Sequence, residues 1–83
     1  MPYIKQKDRP KFDSALKDFP VPDTEGELNY ILTKLCHQYI QKKGKTYSTY
    51  NQVVGVLDCA KLEIYRRHVG IYEDQKIIEN GDV

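Results

Sequence analysis

Leu28, Ile31, Leu32, Leu35, Cys36, Tyr39 and Ile40 recur at i, i+3, i+4, i+7, i+8, i+11 and i+12. That spacing stacks side chains along one side of an α-helix and gives the helix a continuous apolar stripe to turn toward a core. Both ends are marked. Thr24 stands where an N-cap belongs, with Glu27 three residues on as the reciprocal partner of a capping box. Lys42 and Lys43 place cations beside the last carbonyls, and Gly44 follows as a residue free to take positive φ. The predicted helix runs over residues 25–43.

Two further helices follow from weaker patterns. In "DRPKFDSALKDF", Phe12, Leu16 and Phe19 fall at i, i+4 and i+7, with Pro10 in the first turn, where its missing N–H costs nothing. This predicts a helix over about 9–19, stopped by Pro20 and Pro22, which favour an extended connector. After "KTYS", Ser48 or Thr49 can cap a third helix, the latter with Gln52 three residues later. It is predicted over about 49–80 with Gly81 at C′, and Gly70 is the position at which it could kink. On a helical wheel Val53, Val56, Leu57, Ala60, Ile64 and Ile71 share one side, and Val54, Leu62, Tyr65, Val69 and Tyr72 share a second. One helical partner cannot cover both.

The fold class is therefore all-α, a single helical domain over residues 1–83 in which a short N-terminal helix precedes an antiparallel hairpin of two long helices. At 83 residues one core stabilises a chain only modestly, and self-association often makes up the difference. A short helix with three apolar residues leaves much of the third helix uncovered, so the expectation is assembly into a homo-oligomeric helical bundle.

Charge and motifs exclude more than they assign. The charged fraction is 30% but the formal net charge is +1, so no global field draws the chain to nucleic acid or membrane, and a pI near 7.7 is low for a dedicated nucleic-acid binder. The distribution is uneven: Lys34, Lys42, Lys43, Lys45, Lys61, Arg66 and Arg67 oppose Asp58 and Glu63 in the middle, whereas Glu73, Asp74, Glu79 and Asp82 oppose Lys76 in the tail. "MPYIKQKDRPKF" lacks the apolar region of a signal peptide and no run is long enough to span a bilayer, which predicts a cytoplasmic protein. Cys36 and Cys59 are read as reduced core residues. With His37 and His68 they supply atoms for a zinc site, but helix neighbours point about 100° apart, so no metal is expected. There is no phosphate loop, nucleophile elbow or paired Cys-x-x-Cys, so no catalytic residue, no cofactor and no enzymatic activity are expected. Glu63 with Arg67 and Asp58 with Lys61 read as helix-surface ion pairs.

The segments "MPYIK", "DR" before "KFD", "GELNY", "VVGVLDCAKLE", "YRR", "YEDQKI" and "ENGDV" resemble a family of small bacterial and phage proteins of unknown function, over nearly the whole chain. The resemblance implies a bacterial host cytosol and carries no activity. Where the family has a proline before the tyrosine of "YED", this sequence has Ile71 after Gly70.

Those segments contain residues that core packing does not require: Asn29, Tyr30, Lys61, Tyr65, Arg66, Arg67, Tyr72, Glu73 and Asp74. Arginine offers planar, bidentate donors to phosphate, and tyrosine a stacking face with a hydroxyl. The chain also resembles in type the small oligomeric sponge proteins with which phages sequester nucleotide immune messengers. The leading expectation is a non-enzymatic homo-oligomer that holds a phosphate-bearing nucleotide signal, a cyclic nucleotide or ADP-ribose derivative, at a subunit junction. Arg66, Arg67, Tyr65, Tyr72, Lys61, Asn29 and Tyr30 would bind it, antagonising host immune signalling. The rival makes "YRRHVGIYED" a subunit seam, in an adaptor that binds a host protein through its second apolar face.

Overall fold

The computed structural model describes residues 3–83. They are all-helical: a single 3₁₀ turn, Gln6–Asp8, precedes α1 (Pro10–Asp18), α2 (Glu25–Lys43) and α3 (Tyr47–Ile64), and α3 runs through a π-helical turn, Tyr65–Val69, into α4 (Gly70–Asn80). No strand occurs among the described residues. The chain divides into two compact units, one ending at Leu32 and the other spanning Thr33–Val83.

In the first unit, Pro10 occupies the start of α1. The Arg9 guanidinium reaches back to donate to the Ile4 carbonyl through Nε at 3.2 Å and Nη2 at 3.0 Å. At the start of α2 the Glu27 N–H donates to Thr24 Oγ1 at 3.1 Å, while the Glu27 carboxylate accepts from the Asp23 N–H at 3.1 Å. The reciprocal bond of the capping box thus lands one residue before the cap.

In the second unit, the Gly44 N–H donates to Ile40 O at 2.8 Å with φ +108°, and the Gly81 N–H to Ile77 O at 2.8 Å with φ +87°. Both helices end on a left-handed glycine, which a side chain would strain. The cap of α3 differs from expectation: it is Thr46, not Ser48 or Thr49. Thr46 is extended (φ −124°, ψ 160°) and its Oγ1 accepts the Thr49 N–H at 3.2 Å. Thr49 therefore sits at N3, as the recipient of the cap. It is 4% exposed, with its hydroxyl 3.1 Å from that of Thr46.

No apolar side chain is buried among the described residues. Ile31, Cys36 and Ile40 of the α2 stripe are half-buried, and Leu28, Leu32, Leu35 and Tyr39 are exposed. Cys36 and Cys59, expected in a core, are half-buried and exposed. Across the turn between α2 and α3, Tyr39 OH donates to Gln52 Oε1 at 2.6 Å, but within the second unit these helices do not pack along their lengths. The stripes are formed, and among the described residues none of their side chains is buried. No helix among the described residues is long and apolar enough to cross a membrane.

The π turn changes which residues share a side. The Gly70 N–H donates to Tyr65 O, five residues back, so this turn carries one residue more than an α turn. Every residue beyond it is rotated by about 100° from its uninterrupted position. Val69 and Tyr72 thereby join the line of Val53, Leu57, Ala60 and Ile64, and Ile71 leaves it. The wheel that grouped Ile71 with Val53, and Tyr72 with Tyr65, is corrected by that one residue. Glycine suits the position, because a Cβ on Gly70 would lie 3.3 Å from the Tyr65 carbonyl oxygen.

Candidate functional site around the π turn

Arg66 and Arg67 lie inside the π turn, one helical turn after Glu63. Spacings of three and four residues place both guanidinium groups over the same carboxylate. Arg66 Nη2 and Arg67 Nε each donate to Glu63 Oε1 at 2.5 Å. The Glu63 side chain is 12% exposed, against 66% for Arg66 and 58% for Arg67. The carboxylate is thus roofed by two cations whose outer faces meet solvent.

The electrostatic consequence falls on Glu63. Hydrogen bonding from Arg67 first, and then the bond and charge of Arg66, hold its carboxyl below the ordinary glutamate value of 4.5, although burial acts in the other direction. A carboxyl with a lower pKa in the folded state stabilises that state above its unfolded pKa. The contribution is lost as pH falls through the lower folded value. The Glu63 carboxyl carbon, followed by NMR, is expected to titrate below 4.5. Helix content should begin to fall as pH drops below 4.5 and go on falling until the lower folded value is passed, with that step weakened in Glu63→Gln. A Glu63 midpoint at or above 4.5 would remove the clamp.

The other expected site residues are placed as follows. Lys61 Nζ is 3.0 Å from Asp58 Oδ1, an exposed pair of the kind worth a few tenths of a kcal/mol at most. Tyr65 and Tyr72 are 54% and 59% exposed. An uninterrupted helix would bring these two tyrosines to one side, but the π residue leaves them about 120° apart around the axis. Lys76 Nζ stands 5.5 Å from the Tyr72 ring centroid while it pairs with Glu79 at 3.0 Å. Asn29 and Tyr30 belong to the first unit, where Tyr30 lines a cavity of about 280 Å³ with Pro20, Val21, Pro22, Gly26, Glu27 and Ile31. Glu63, Arg66 and Arg67 are the residues brought together. Among the described residues, no three His, Cys, Asp or Glu side chains are grouped to hold a metal ion.

The part played by Glu63 toward Arg66 was missed from the sequence, although the i, i+3, i+4 spacing of Glu63, Arg66 and Arg67 contains it. The π turn had a fainter signal, a glycine in mid-helix next to an apolar pattern that divides between two sides.

No curated protein and no solved structure matches this chain. A family profile does: it is described as Domain of unknown function (DUF6899) and matches residues 1–83.

Proposed function

The chain belongs to the DUF6899 family, a domain of unknown function, throughout residues 1–83, and from that premise we propose that it is a non-enzymatic interaction protein. Its helices assemble into a homo-oligomeric bundle in which "YRRHVGIYED" is a subunit seam, and an apolar face left over after assembly takes a host protein. One observation supports this above the others: the helices carry full apolar stripes and, among the described residues, bury none of them. The Glu63 clamp fits a seam, because both arginines already spend a donor on a carboxylate of their own chain.

A second reading keeps the arginines for a ligand. In it, the outer faces of Arg66 and Arg67, with Tyr65 and Tyr72 exposed nearby, hold a phosphate-bearing nucleotide at the junction and sequester it. What favours it is the exposure of both guanidinium groups while a single carboxylate fixes them in place.

The Arg66→Ala, Arg67→Ala double variant separates the two by native mass spectrometry, with and without added cyclic nucleotide or ADP-ribose. Loss of the oligomer, by about tenfold or more in dissociation constant, is expected for a seam. An intact oligomer that no longer gains the nucleotide mass would sink the seam and establish the sequestering reading.

A further inference from the structure

Leu62, Arg66, Gly70, Asp74 and Ile78 stand at every fourth residue along α3, the π turn and α4. In an ordinary α-helix such a row drifts by about 40° at each step, so five members would wind some 160° around the axis. The π residue between Arg66 and Gly70 turns the later members back by about 100°. All five then fall within roughly 80° of one another, on one side.

The order along that side is apolar, cation, glycine, anion, apolar, and it is complementary to its own reverse. We infer that a second copy of this chain packs antiparallel against this row, about a two-fold axis at Gly70. Leu62 meets Ile78 of the other copy, Arg66 meets Asp74, and each contact occurs twice, as an isologous interface requires. The inference rests on the self-assembly in the reading above and on no ligand.

Four observations support the pairing. Parallel packing would set Arg66 on Arg66 and Asp74 on Asp74, whereas the antiparallel arrangement pairs both. Asp74 lies eight residues from Arg66, beyond the reach of helix-surface pairs, and it forms no ion pair within the chain among the described residues. Arg66 spends Nη2 on Glu63, and a guanidinium has further donors for a second carboxylate. Leu62 is 60% and Ile78 84% exposed, leaving apolar surface at both ends of the row, while Gly70 in the middle has no side chain to hold two backbones apart.

The test uses the full chain with Cys36→Ser and Cys59→Ser. Leu62→Cys and Ile78→Cys chains, mixed and oxidised, are expected to form a mixed disulfide. Leu62→Cys alone should form none, because its two copies would lie about 24 Å apart along the pair, far beyond disulfide reach. In the same register Arg66→Asp, or Asp74→Arg, is expected to weaken self-association by about tenfold or more, and the two together in one chain to restore it. Efficient Leu62→Cys self-linking, or single charge reversals without effect, would overturn the register while leaving assembly in place. A wild-type chain that stays monomeric at every concentration would overturn the register and the assembly together.

Discussion

Diluted over a roughly thousandfold range of concentration, the protein is expected to lose most of its helical circular dichroism, because such a dilution withdraws about 4 kcal/mol of association free energy. The helices give the reason. α2 holds 19 residues, and α3, the π turn and α4 hold 18, 5 and 11 in one continuous run. Most helical stability in proteins comes from packing an apolar face against a partner rather than from intrinsic propensity. Packing is what the single chain lacks, since none of its apolar side chains is buried among the described residues. The caps at Thr24 and Thr46 supply about 1 kcal/mol each, which cannot replace a core. Helix and assembly should therefore melt in one transition whose midpoint rises with concentration. A melting curve that superimposes at all concentrations would mean that the monomer is stable by some means other than burial.

Helix positions were legible where chemistry is local. The stripe from Leu28 to Ile40 needs only the helical period, and Gly44 and Gly81 needed only their lack of a Cβ to end helices at φ +108° and +87°. The cap of α3 was less legible because "KTYST" offers three serine or threonine hydroxyls, and which one caps depends on the backbone at Thr46. The π turn was hidden for a different reason. It is one extra residue in a turn, so it alters no propensity and shows only as a rotation of everything after it, moving Tyr72 away from Tyr65. What covers a stripe was not legible at all, since periodicity says which side is apolar and nothing about its partner. The same limit applies to the candidate site. Arg66 and Arg67 stand out as a pair, but the carboxylate that holds them is a relation among residues three and four apart, and what meets their outer faces lies beyond one chain.

Ile64→Asp carries the second large effect, and its size distinguishes a face that is covered from one that is not. In the single chain Ile64 is 55% exposed and Leu57 41%, values at which an acidic substitution would change stability by about 0.5 kcal/mol or less. In an assembly that buries the line of Val53, Leu57, Ala60, Ile64, Val69 and Tyr72, the same change removes a buried side chain worth about 1.5–3 kcal/mol and adds an unpaired carboxylate in every copy. Repetition through a symmetric oligomer multiplies that cost. Sedimentation should therefore show Ile64→Asp as an unassembled chain, with helix content reduced in parallel. Val21→Asp is the matched control, since Val21 lies 84% exposed in the connector before α2 and off the apolar line of α3. If the two variants behave alike, the Ile64 line is an ordinary solvated surface, and assembly must be sought on the row from Leu62 to Ile78 or on the stripe of α2.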